Sequence, residues 1–90
     1  MQLKDSSLLR DQCLIDGRWV GAGNGGRVAV KNPATGAVIA HVPLLDATAT
    51  RTAIDAAAAA FPAWAARTAK ERAVILRRWY ELMMANQDDL

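Results

Sequence analysis

Ninety residues make one small domain at most, since domains usually run about 100–150 residues. Hydrophobic residues are 52% of the chain, but 19 of those 47 are alanine and only 27 are large apolar side chains, so the core is thin. Charged residues are 22% with a net charge of +2, which excludes both an acidic solvating tail and a strongly basic nucleic-acid arm. No apolar run approaches the roughly 20 residues of a membrane span. The opening MQLKDSSLLR lacks the apolar stretch of a secretory signal. One cysteine cannot form an internal disulfide, which points to a reducing, cytoplasmic setting.

The chain falls into three parts: a lead-in (1–12), a β segment (13–43) and two helices (44–90). The lead-in is polar apart from Leu8-Leu9, and one helical turn is expected from Asp5 or Ser6. Cys13-Leu14-Ile15 and Arg18-Trp19-Val20 flank Asp16-Gly17, a pair suited to a type I′ hairpin turn with positive φ at both central positions. A glycine-rich loop follows at 21–26. Arg27-Val28-Ala29-Val30-Lys31 alternates at period two and puts Val28 and Val30 on one face. Asn32-Pro33-Ala34-Thr35-Gly36 is turn chemistry. The next strand is expected over 37–42, stopped by Pro43 because proline cannot donate to a ladder.

The first helix is expected to be capped by Thr48, with Asp46 the alternative. Ile54, Ala57, Ala58, Phe61 and Ala65 share a face that should pack on a neighbour, and Pro62 should bend the helix near Ala58. Thr68-Ala69-Lys70-Glu71 has the form of a capping box opening a second helix. That helix carries a stripe of Arg72, Ile75, Leu76, Trp79, Leu82, Met83 and Asn86, with Arg77, Arg78 and Glu81 on the wet side. At Asp88-Asp89-Leu90 there is neither a glycine cap nor a proline stop, so the chain reads as breaking off mid-protein.

None of the chemistry-bearing residues forms a catalytic, cofactor-binding or metal constellation. Residues 21–26 match G-x-G-x-x-G literally, yet that pattern holds pyrophosphate only between a strand and a helix N-terminus, and in this chain a β segment follows. Cys13 has no base nearby in sequence and reads as a small packed hydrophobe. His41 has no second histidine or carboxylate at ligand spacing. Lys70, Arg72, Arg77, Arg78, Trp79 and Tyr80 could suggest nucleic acid, but Trp79 lies on the apolar stripe and Glu81 can neutralise Arg78. Asp88-Asp89 is the one carboxylate pair, and it has no partners fixed by the surrounding sequence.

The ordered set Ile15-Asp16-Gly17-Arg18-Trp19-Val20, Asn32-Pro33-Ala34-Thr35-Gly36-Ala37-Val38-Ile39-Ala40, Ala60-Phe61-Pro62-Ala63-Trp64 and Thr68-Ala69-Lys70-Glu71-Arg72-Ala73 resembles the N-terminal end of the aldehyde dehydrogenase superfamily. The opening Met1-Gln2-Leu3-Lys4-Asp5, the helix Leu76-Arg77-Arg78-Trp79-Tyr80-Glu81-Leu82-Met83 and Asn86-Gln87-Asp88-Asp89-Leu90 are similar to its bacterial, NADP-preferring succinate-semialdehyde subgroup. The resemblance implies an α/β fragment: a β-hairpin segment and two helices forming the N-terminal part (1–90) of a larger Rossmann-like NAD(P)-binding domain, with the catalytic domain outside the chain.

In that family a cysteine thiolate attacks the aldehyde, hydride passes to the nicotinamide and water hydrolyses the thioester. The nucleophile, the glutamate base and the oxyanion asparagine lie in later segments, and none matches a position in this chain, Cys13 included. Some relatives hold a monovalent cation near the step matching Lys31-Asn32, whose other ligands would lie outside this chain. The full enzyme is then expected to oxidise succinate semialdehyde with NADP or NAD, in 4-aminobutyrate degradation, as a cytoplasmic homodimer or homotetramer without nucleic-acid or membrane partners. The 90 residues alone are expected to be inactive and to bind no cofactor. Two alternatives remain: a dehydrogenase for glutarate semialdehyde or another small aldehyde, and a free-standing module exposing an apolar helix stripe.

Overall fold

The computed structural model describes residues 2–90. A single 3-10 turn, Ser6–Leu8, precedes four short strands and two helices: β1 (Cys13–Ile15), β2 (Arg18–Val20), β3 (Arg27–Lys31), β4 (Val38–Pro43), α1 (Ala47–Ala66) and α2 (Ala69–Ala85). The 3-10 turn starts where expected. The Asp5 side chain caps it by accepting from the Ser7 backbone N–H at 3.0 Å and from the Ser7 hydroxyl at 2.6 Å.

The strands form two separate antiparallel hairpins. In the first, Cys13 faces Val20 and Ile15 faces Arg18, and the turn between them has φ 51° at Asp16 and 72° at Gly17. Both central residues are therefore left-handed, as the Asp-Gly pair requires. In the second, Arg27 pairs with Pro43 and Val28 with Val42, and the register slips so that Lys31 faces Val38 while Val30 faces Ala40. Ile39 is the extra residue of that bulge.

Asn32 builds the connecting turn. Its Oδ1 accepts from the N–H groups of Ala34 (2.8 Å) and Thr35 (3.4 Å), and its carbonyl accepts from Gly36, which sits at φ 75°. The strand expected over 37–42 runs one residue later. Pro43 is its last member because its missing N–H is needed by no partner, and the Leu44 N–H carries the ladder one step on to the Gly26 carbonyl at 2.8 Å.

The first helix departs from expectation at its start. Asp46, not Thr48, is the cap: its extended backbone (φ −89°, ψ −177°) lets Oδ1 accept from the Ala49 N–H at 2.9 Å. Thr48 lies inside the first turn, where its carbonyl accepts from the Thr52 hydroxyl at 3.2 Å. The helix continues unbroken through Pro62. A capping box opens α2 as expected: Thr68 Oγ1 accepts from the Glu71 N–H at 3.2 Å, and a Glu71 carboxylate oxygen accepts from the Thr68 N–H at 3.1 Å. Arg67 and Thr68 are both extended, so the two helices are separate rods.

Within the described residues, α1 meets the first hairpin on a side that shares only Ala57 with the expected packing face. The side approaching β1 and the hairpin turn presents Ala53, Ala56, Ala57 and Ala60 to Leu14 and Ile15, while Ile54 and Phe61 are 61% and 65% exposed. Small side chains admit the hairpin, and the larger ones stay uncovered on another side of the rod. No described residue is buried. The chain exposes 7464 Å², against about 5,100 Å² for a compact monomer of its 9.7 kDa. Its radius of gyration is 16.7 Å, against about 12 Å for a compact chain of this length.

Candidate functional site

The chemistry-bearing residues are spread over separate elements. Cys13 is a free, half-buried thiol on β1, opposite Val20. His41 is exposed on β4, opposite Ala29, and only its backbone carbonyl makes a notable contact, accepting from Arg27 Nη2 at 2.8 Å. The glycine loop joins β2 to β3, with Gly25 N–H donating to the Ala22 carbonyl at 2.8 Å. A cleft of about 300 Å³ beside it is bordered by Asp11, Gln12 and Arg27. No helix N-terminus aims into that cleft, and Arg27 is already shared between the His41 carbonyl and Asp11 Oδ2 (3.5 Å). These residues do not fit the pyrophosphate of a nicotinamide dinucleotide, which wants a helix start and unengaged N–H groups.

At Lys31-Asn32, the Asn32 N–H, carbonyl and Oδ1 each take part in a hydrogen bond of the turn. Among the described residues no three His, Cys, Asp or Glu side chains gather as a metal-ligand group. On α2, Glu81 lies 3.6 Å from Arg77 and 3.8 Å from Arg78, and the Arg77 guanidinium stacks 5.1 Å over the Tyr80 ring. One carboxylate is thus shared by two guanidiniums on an exposed face that keeps a net positive charge.

The contact that sequence reasoning missed joins the two ends of the described chain. Asp89 accepts from two successive backbone N–H groups, Lys4 to Oδ1 at 2.8 Å and Asp5 to Oδ2 at 2.9 Å. The Lys4 ammonium lies 2.6 Å from Asp88 Oδ2. Further along the lead-in, the Arg10 guanidinium sits 4.7 Å over Trp19 on β2, and Asp11 reaches Arg27 on β3. The lead-in is thus a strap touching the end of α2 and both hairpins. The acidity of Asp5 is shifted by its own turn. The Ser7 hydroxyl and then the Ser7 N–H donate to its carboxylate and hold it below its ordinary range.

The largest unpartnered feature is apolar. Ile75, Leu76, Trp79, Leu82 and Met83 on α2 are 40–60% exposed, in line with a stripe awaiting cover. Among the described residues no helix is long and apolar enough to cross a membrane.

The aldehyde dehydrogenase family pattern matches residues 19–90. The chain is 59% identical over all 90 residues to glutarate-semialdehyde dehydrogenase of Pseudomonas aeruginosa, covering 19% of it. It is 57% identical, again end to end and over 19% of the relative, to the NADP+ succinate-semialdehyde dehydrogenase of Escherichia coli. A crystal structure of an aldehyde dehydrogenase from Brucella melitensis superposes with a TM-score of 0.93 at 54% identity, over 99% of this chain and 18% of that one. The chain spans about a fifth of the length of the curated relatives it matches. In the order of its segments and in its backbone alike, the chain belongs to the aldehyde dehydrogenase family, as an N-terminal segment of a larger α/β enzyme.

Proposed function

We propose that residues 1–90 are the N-terminal part of the NAD(P)-binding domain of a dehydrogenase that oxidises succinate semialdehyde to succinate, with NADP or NAD as hydride acceptor. The observation that carries this reading is the end-to-end identity, 57–59%, to enzymes named for dicarboxylic semialdehydes. Aldehyde, water and oxidised nucleotide become carboxylate, reduced nucleotide and protons. The nucleophile, base, oxyanion donors and nucleotide site come from residues outside these 90, and the segment's own part is architectural. It offers the α2 stripe and the Ile54–Phe61 side of α1 as faces for the rest of the domain to cover. The enzyme acts in the cytoplasm as a homodimer or homotetramer.

A second substrate, glutarate semialdehyde, is favoured by the 59% relative, and one methylene separates the two. The test is a nucleotide-reduction assay on the protein at its natural length. It would compare succinate semialdehyde, glutarate semialdehyde and an uncharged aldehyde of equal length, each with NADP and NAD. The highest kcat/KM with succinate semialdehyde supports the first reading, and a reversed order selects the second. No reduction with any aldehyde, or no preference for a carboxylate-bearing one, would overturn both.

A further inference from the structure

We propose that Asp89 is the anchor of the N-terminal strap: its carboxylate, by accepting two consecutive backbone N–H groups, fixes where residues 2–12 run and couples the strap to the end of α2. The geometry separates this role from the neighbouring ion pair. Lys4 and Asp88 have side chains 78% and 77% exposed, and water and salt screen such a pair until little remains. Asp89 is half-buried, and both its oxygens are engaged by donors whose positions the backbone fixes, at 2.8 and 2.9 Å. Charge-assisted bonds of this kind are roughly twice as strong as neutral ones. The carboxylate is itself held in place. The Asp89 and Leu90 N–H groups donate to the Asn86 carbonyl at 3.0 and 3.2 Å, and the Asn86 side-chain amide donates to the Leu82 carbonyl at 2.9 Å, so the acceptor sits on a turn tied to the C-terminal end of α2. The coupling must therefore run in both directions: whatever loosens the strap loosens the residue 86–90 turn, and the reverse.

Amide hydrogen exchange on the protein at its natural length tests this. The Lys4 and Asp5 amides should be protected, and Asp89→Ala should speed their exchange at least tenfold while the α2 amides of Trp79 and Leu82 keep their protection. Asp88→Ala and Lys4→Ala should change the Lys4 and Asp5 amides by less than threefold. Deleting residues 2–5 should in turn speed exchange of the Asp89 and Leu90 amides. Should Asp89→Ala unfold α2, Asp89→Asn replaces it. That variant keeps one acceptor and turns the other into a donor facing an N–H, so one of the two amides should lose protection. Unprotected Lys4 and Asp5 amides in the native protein would overturn the proposal. So would protection of either amide that survives Asp89→Ala, protection of both that survives Asp89→Asn, or a loss in Asp88→Ala as large as in Asp89→Ala.

Discussion

Gly17 carries the first hairpin at the scale of one residue. It sits at φ 72°, and a Cβ built there would meet nothing within 4 Å, so any substitution cost is backbone strain with no clash added. Gly17→Val should destabilise the protein by about 1 kcal/mol or more, because a β-branched residue resists the left-handed region. Gly17→Asn, which tolerates that region, should cost clearly less. Equal denaturation midpoints for the two variants would show that the turn does not need positive φ there. Asp5 offers a second residue-scale check. Its carboxyl is held below the ordinary range by Ser7, so its cap is intact above about pH 4 and is lost as pH falls through the lowered value. In an NMR titration the Asp5 midpoint should lie below that of an unstructured aspartate, and Ser7→Ala should raise it. A midpoint unmoved by Ser7→Ala would show that the Ser7 hydroxyl does not hold the carboxyl down.

At the scale of elements, the two helix caps make opposite lessons. Thr68→Ala strips the acceptor for the Glu71 N–H and should cost about 1 kcal/mol, whereas Glu71→Gln keeps an oxygen for the Thr68 N–H and should cost less. For α1, Asp46→Ala should cost a similar amount and Thr48→Ala little. Melts of the four variants check the order, and a Thr48→Ala loss exceeding that of Asp46→Ala would place the cap wrongly. Thr68 was legible because its reciprocal partner lies three residues away in sequence. Asp46 and Thr48 were both plausible because neither has an acid at its third helical position. Only the extended backbone at Asp46, the carboxylate geometry and the Thr48 carbonyl already inside the helix decide between them.

The first hairpin, the Asn32 turn and the two-helix order were equally readable, since each depends on residues a few positions apart. The bulge at Ile39, the alanine side of α1 that meets the hairpin, and the Asp89 contacts were not. Those depend on which segments meet in space, and local periodicity carries no such information. The candidate site was legible in a different sense: the glycine loop could be set aside from its flanking strands alone, whereas the strap that borders it could not be seen.

For the molecule as a whole, the decisive quantity is surface. About 2,300 Å² more is exposed than a compact chain of this mass would show, and no described side chain is buried. Residues 1–90 expressed alone should therefore give helical circular dichroism without a cooperative melt, because ordering at roughly 1.5 kcal/mol per residue finds too little burial to offset it. They should also show no aldehyde-dependent nucleotide reduction. A sharp thermal transition would overturn the first expectation. Activity above background that Cys13→Ala abolishes would overturn the second and make that half-buried thiol a nucleophile.

The strap also has a consequence in time. Its donors at Lys4 and Asp5 are made well before their acceptor, which lies 84–85 positions later. At roughly 5–20 residues per second of synthesis, the opening segment waits about 4–17 seconds before Asp89 exists at all, and longer until it clears the ribosome. Through that interval the two hairpins can close on their own, each from strands a few residues apart, while the strap stays unfastened. A stretch made before both hairpins is then fastened after them.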